Sequence, residues 1–313
     1  MGERSQQTGE KLENYACKIF KEFEWNILAR NVQIVCRRTS HKNPKNKNKK
    51  THGVDILAGY YNPFKERKEA FIIECKNRAW SNYTPSTLSS WIEELCNTVE
   101  CASISQELSE VLKEYTLIGG ILLYHSSDNK YESNHARSIM SKIKVPKRRS
   151  PFMIYLADNN RLNKWNSFIK SVNEIKQDSD QNSFEIIYPS IGGSTWDRNI
   201  VVTSTYLFSD YILASYTKKT QNTYITITSN IKVIFCFDHD TEDSMKYLQD
   251  MINELQLEAT LVAPLEIHCY FYPETEKDID SIKRSFKKIF ENKTNYKFTI
   301  MDNREIAEID LQE

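Results

Sequence analysis

Leu12, Tyr15, Ala16, Ile19, Phe20 and Phe23 fall three or four residues apart, the spacing of one apolar helix face near the start of the chain. Val32, Ile34 and Cys36 then alternate with polar neighbours, as on a strand. Two apolar runs follow, Val54-Asp55-Ile56-Leu57-Ala58-Gly59-Tyr60 and Ala70-Phe71-Ile72-Ile73-Glu74-Cys75-Lys76. Between them, residues 61–69 carry Asn62-Pro63 and several charges, which predicts a β-hairpin connection. Leu88, Trp91, Ile92, Leu95 and Val99 mark a second helix. A shorter helical run over residues 103–113 leads into an apolar strand at 115–124. A further helix at about 133–143 and a strand at 152–156 extend the series.

Residues from about 166 to 185 are polar and rich in Ser, Asn, Gln, Asp and Lys, which sets a boundary near residue 170. Beyond it, strands are expected at 184–188, 199–205, 224–228, 232–237 and 265–272, with amphipathic helices at 242–255 and 275–290. No internal repeat is evident there. A chain of 313 residues accommodates two domains with a core each, 1–170 and 171–313, both α/β. Tyr206, Phe208, Tyr211 and Tyr216 read as exposed aromatics of the kind enriched at interfaces. Phe237-Asp238-His239-Asp240 falls where a strand hands over to a helix, so Asp240 is an N-cap or turn residue before it is a metal ligand. Gly192-Gly193-Ser194 precedes no helical pattern and makes a weak phosphate loop.

Seven cysteines and six histidines are dispersed, without C-x-x-C or knuckle spacing, so structural zinc is not expected. No apolar run reaches the ~18 residues of a membrane span, and residues 1–7 are polar. Reduced thiols and a cytoplasmic protein are the expectation.

The chemistry lies in charges set inside apolar strands, where they are costly. Gly53-Val54-Asp55 is followed after eighteen residues by Glu74-Cys75-Lys76. Alternation places Glu74 and Lys76 on one face, with Ile73 and Cys75 on the other. If the hairpin closes, Asp55 arrives near Glu74. Carboxylate oxygens suit a hard cation such as Mg²⁺, which would relieve their repulsion, and Lys76 would stand beside an attacking water. The plainer reading is a structural carboxylate–lysine cluster at a sheet end.

This G-x-D then E-x-K arrangement resembles the PD-(D/E)XK nuclease superfamily, in its restriction-endonuclease-like branch. Thr8-Gly9-Glu10-Lys11-Leu12-Glu13-Asn14-Tyr15-Ala16 is similar to that family's first helix, and Arg30-Asn31-Val32 to the segment before its G-x-D. The resemblance covers about residues 8–125. It implies a mixed central sheet flanked by helices, and phosphodiester hydrolysis with Mg²⁺, Mn²⁺ being an expected substitute. It also implies Asp55, Glu74 and the Cys75 carbonyl as metal ligands, Lys76 on the water and Glu13 as accessory carboxylate. From its place beside the helix stripe, Glu13 is equally an ordinary solvated glutamate.

Acids and bases balance at 42 each, so the chain has no global nucleic-acid signature. Their distribution is uneven. Arg37, Arg38, Lys42, Lys45, Lys47, Lys49 and Lys50 lie in one Asn/Lys-rich run with no acid, which reads as a mobile loop. Such runs are usually just solvated; this one ends five residues before Asp55, where a phosphate clamp is the better reading. The expected function is therefore a Mg²⁺-dependent endonuclease acting on DNA, with RNA as second substrate class, in restriction or phage defence. The alternative is a nuclease-fold subunit that binds nucleic acid or a partner without cutting. One metal site cuts one strand, so residues 171–313 are expected to serve recognition or assembly, with a second copy or a partner protein.

Overall fold

The computed structural model describes residues 2–42, 47–128, 130–148, 152–178, 183–188, 200–221, 226–237, 241–258 and 265–303, with residues 2–8 and 178 as backbone alone. The chain divides into two compact units, Met1–Leu162 and Asn163–Glu305. Both are α/β, each with a mixed sheet flanked by helices.

The first unit runs α1 (Gly2–Glu22), β1 (Asn26–Val35), β2 (Thr51–Asn62), β3 (Arg67–Arg78), α2 (Pro85–Ala102), β4 (Thr116–Ser126), α3 (Ser133–Met140) and β5 (Met153–Ala157), and ends at the start of α4 (Asn159–Asp178). Its strands lie in sequence order, antiparallel from β1 to β3 and parallel from β3 to β5. The apolar stripe of α1 is buried throughout, and Phe20 meets Trp25 at a ring-centroid distance of 4.9 Å. Trp25 in turn lies 4.4 Å from Tyr60 and 5.7 Å from Phe71, which joins the helix to the hairpin. In α2, Pro85 supplies a preset first turn and Thr84 caps it by accepting from the Thr87 N–H. Leu88, Ile92, Leu95 and Val99 then pack with Leu57, Ile72 and Leu122 in one core. Two glycines make that packing possible. A Cβ on Gly120 would stand 2.7 Å from Leu95, and one on Gly119 only 1.9 Å from the Met153 carbonyl oxygen of β5.

The hairpin turn is tied by a buried carboxylate. Glu69 accepts from Tyr60 Oη at 3.1 Å and Asn62 Nδ2 at 2.7 Å, and pairs with Lys65 and Arg67. Residues 103–113 differ from the helix expected there, forming turns with a 3-10 segment at Val111–Lys113. Ser105 Oγ accepts the Leu108 N–H and Ser109 Oγ donates to the Gln106 carbonyl, local bonds that compete with the helical ladder.

In the second unit most of α4 is followed by β6 (Glu185–Ile186), α5 (Ser204–Leu207), β7 (Tyr211–Gln221), β8 (Thr226–Cys236), α6 (Glu242–Glu254), β9 (Leu265–Phe271), α7 (Glu276–Phe290) and β10 (Tyr296–Ile300). The polar stretch after residue 166 is thus mostly helix. Trp165, Phe168, Val172 and Ile175 recur every three or four residues along it and are buried. A strand expected at 199–205 is absent: residues 200–203 have no regular structure and Thr203 caps α5 through its side chain. Strands expected at 224–228 and 232–237 form one continuous β8 within the described residues, because Ser229 and Asn230 keep pairing with Lys218 and Thr217 across the hairpin. Tyr216 is buried, while Tyr206, Phe208 and Tyr211 are half-buried, so none is an exposed aromatic. Tyr206 stacks on Tyr188 at 4.8 Å and donates to the Ile187 carbonyl. The N-cap of α6 is Thr241 rather than Asp240; residues 192–194 and 238–240 lie outside the described set.

This second sheet also runs in sequence order, antiparallel from β6 to β8 and parallel from β8 to β10. It therefore repeats the connectivity of the first. The match extends to Ile56-Leu57-Ala58-Gly59-Tyr60 on β2 and Ile212-Leu213-Ala214-Ser215-Tyr216 on β7, although the hydrophobic pattern alone reveals no repeat.

Candidate active site

The β2–β3 ladder closes at Ile56 opposite Ile73, so Asp55 and Glu74 are the next residues out, where the two strands cease to pair. There Asp55 Oδ2 accepts the Cys75 N–H at 2.9 Å, a side chain taking over from the ladder. Beyond that point β3 still pairs with β4, through Glu74 opposite Leu122 and Lys76 opposite Tyr124, so its geometry stays fixed. The structure thus brings Asp55, Glu74 and Lys76 together.

Glu74 is buried, at 6 % exposure, and accepts from Lys76 Nζ. Burial raises its pKa well above the usual carboxylate range; Lys76 opposes that rise and Asp55 adds to it. Burial works against the charge on Lys76, yet the Glu74 carboxylate outweighs it and holds the ammonium above its ordinary range. The Cys75 thiol is also pushed well up by burial, so sulfur is not the atom that strand position offers a cation.

Glu13, on α1, is half-buried, and its pKa is raised first by burial and next by the field of Asp55. It is therefore close enough to sense Asp55. It does not join Asp55 and Glu74 in a ligand-sized cluster: among the described residues, only Cys36, His41, His52 and Cys101 gather within 4.8 Å. The carboxylate set at the strand ends is all oxygen, crowded and partly desolvated, which fits a hard divalent cation.

The basic run is a partly packed segment rather than a free loop. Cys36 N–H donates to the Lys50 carbonyl at 2.8 Å and Lys49 N–H to that of His41 at 2.9 Å, which closes its base. Lys42 bonds Asn48, Arg37 bonds Gln106 at 3.2 Å, and Lys47 and Lys50 are exposed. Lys45 lies outside the described residues. Lys49 is engaged by Glu94 of α2 at 2.7 Å.

Glu94 is a residue that sequence reasoning missed. Burial resists its ionisation, but Lys49, then Lys76 and His52, hold its pKa low, so it links the basic segment to the Lys76 end of the site. Its only sequence signal is an acid inside the apolar stripe of Trp91, Ile92 and Leu95. Lys147 and Arg148 were missed too. They share with Arg37, Arg38 and Glu100 the lining of an open groove of about 620 Å³. The basic character of residues 144–149 was a legible cue.

Comparison with known proteins agrees with this geometry. Residues 1–161, just over half of the 313, match the family model described as the GAPS4 protein PD-(D/E)XK nuclease domain. No curated protein matches the chain.

Proposed function

Since the chain belongs to the family of the GAPS4 protein PD-(D/E)XK nuclease domain, we propose that it is a Mg²⁺-dependent endonuclease hydrolysing DNA phosphodiester bonds. The observation that carries this reading is the meeting of Asp55 and Glu74 where their strands part, with Lys76 against Glu74. Asp55, Glu74 and the Cys75 carbonyl would hold the cation, and Mn²⁺ is the expected substitute. When bound, that cation would supply Lewis-acid polarisation of a phosphate oxygen. Lys76, a donor already confined by burial, orients water for attack and offsets the negative charge that develops at phosphorus. Glu13 acts as an accessory carboxylate through its field on Asp55.

Arg37, Arg38, Lys42, Lys45, Lys47, Lys49 and Lys50, extended by Lys147 and Arg148, supply phosphate contacts, which position a duplex without reading its sequence. The restriction-endonuclease-like motif supports DNA over RNA and a role in restriction or phage defence. Residues 171–313 serve assembly or recognition. Light scattering on the full chain is expected to give a dimer or larger species; a monomer that makes double-strand breaks refutes the assembly role.

The deciding experiment is plasmid nicking. Supercoiled DNA should be nicked with Mg²⁺, uncut with EDTA, and uncut by the Asp55→Asn and Glu74→Gln chains. DNA binding without any Mg²⁺- or Mn²⁺-dependent cutting would instead support a nuclease-fold binding subunit.

A further inference from the structure

Cys36, His41, His52 and Cys101 come from four stretches of the first unit: just past β1, the segment after it, the start of β2 and the last turn of α2. Their dispersal argued against zinc, because spacing rules describe sites whose ligands come in sequence-adjacent pairs. The fold nonetheless brings the four together. His41, His52 and Cys101 are buried and Cys36 half-buried, and one ligand atom of each lies within 4.8 Å of all the others.

Contact distances fix four of the six edges between these ligand atoms. Cys36 Sγ and Cys101 Sγ are 3.9 Å apart, His41 Nδ1 is 3.5 Å from each sulfur, and it is 3.3 Å from His52 Nε2. A tetrahedron with Zn–S of about 2.3 Å and Zn–N of about 2.05 Å has S–S, S–N and N–N edges of about 3.8, 3.6 and 3.3 Å. Each measured edge agrees to within about 0.2 Å. Hydrogen bonding alone does not produce this arrangement. A ring nitrogen offers either one lone pair or one hydrogen, yet three atoms stand around His41 Nδ1.

The surroundings suit the same reading. His41 Nε2 lies 3.1 Å from Glu100 Oε2, so its outward N–H meets a carboxylate, as is usual for metal-bound imidazole. The Arg37 N–H donates to Cys101 Sγ at 3.4 Å, a contact that a metal-bound sulfur would retain.

We propose that Cys36, His41, His52 and Cys101 bind one structural Zn²⁺ in a closed S₂N₂ tetrahedron. Two sulfurs and two imidazoles suit Zn²⁺ better than Mg²⁺, which prefers oxygen. The ion would act mechanically. Cys36 and His41 bracket Arg37 and Arg38, so the site would pin these cations to α2 and to the strand that carries Asp55. This proposal does not rest on the nuclease reading, and its test needs no substrate.

The full chain, purified without chelator and dialysed against excess Mg²⁺, should retain about one zinc per chain by elemental analysis. The Asp55→Ala/Glu74→Ala chain should retain the same amount, and the Cys36→Ser/Cys101→Ser chain should lose at least nine-tenths of it. Co²⁺ added to the metal-free wild-type chain should give thiolate charge-transfer absorption and the intense visible bands of tetrahedral Co²⁺. Zinc content unchanged by the cysteine substitutions, or lost with Asp55 and Glu74, overturns the proposal. If the cysteine variant does not fold, the wild-type cobalt spectrum decides alone, and a weak octahedral spectrum, a disulfide or an iron–sulfur chromophore overturns it.

Discussion

Asp55 Oδ2 holds the Cys75 N–H at 2.9 Å, so a site carboxylate also completes the backbone bonding of the strand that carries Glu74 and Lys76. Asparagine keeps an acceptor for that N–H, whereas alanine leaves it unpaired at a cost of about 1–3 kcal/mol. Asp55→Asn should therefore unfold in urea close to wild type, Asp55→Ala should unfold earlier, and neither should nick plasmid with Mg²⁺. Cleavage by Asp55→Asn at the wild-type rate would remove Asp55 from the site.

The raised pKa of Glu74, about 7 in the folded metal-free chain against about 4.3 unfolded, fixes a pH dependence. A carboxyl raised in this way favours folding fully below about 4.5, and that contribution is lost as pH rises through about 7. If Glu74 holds Mg²⁺ as proposed, the cation displaces this proton, so calorimetry should show affinity rising up to about pH 7 with proton release to buffer. Glu74→Gln should abolish the proton release, since no carboxyl is left at that position to titrate. Affinity independent of pH between 5 and 8 would contradict the assignment.

Removing Lys76 strips the buried Glu74 of its counter-charge and, in the proposed mechanism, removes a donor from the reaction. Lys76→Ala should retain metal binding yet lose cleavage rate by roughly 10² or more. Its pH–rate profile should also shift upward, because Glu74 then ionises later. A rate within threefold of wild type would show that Lys76 is merely a structural partner.

The basic residues should separate into two groups. Arg38→Ala, Lys47→Ala and Lys50→Ala should lower the salt dependence of DNA binding by about 0.9 in log–log slope per lost phosphate contact, with stability unchanged. Lys49→Ala should behave differently, since it releases Glu94, and should cost about 0–1 kcal/mol of stability. Filter binding across salt, with urea unfolding, measures both; an unchanged slope in all four would mean that the segment is only solvated.

Gly119→Ala tests the packing beneath the site. Its Cβ would come 1.9 Å from the Met153 carbonyl, a backbone atom that cannot step aside. The expected loss is about 3 kcal/mol or more, read as a large fall in Tm. Gly53→Ala should be nearly neutral, since nothing stands within 4 Å of that position.

The hairpin and its acids were legible because two short apolar runs, a turn signal between them and out-of-place charges all point the same way over residues 54–76. Elsewhere the pattern was thinner. β7 was not recognised because its second half, Thr217-Lys218-Lys219-Thr220-Gln221, is polar and is held by pairing with β8 rather than by burial. Glu94 and the Lys49 contact depend on how α2 lies against the sheet, which periodicity does not specify. The same holds for Cys36, His41, His52 and Cys101, whose meeting exists only once three elements are packed.

The repeated connectivity gives this chain a built-in control experiment. Beyond Ile56 and Ile73 stand Asp55 and Glu74; beyond the matching Ile212 and Phe235 stand Tyr211 and Cys236, an aromatic and a thiol. At those two positions the second sheet carries no carboxylate, and its ladder continues with Tyr211 pairing with Cys236. The architecture does not demand buried carboxylates at that corner, and the desolvation cost of Glu74 is specific to the first sheet.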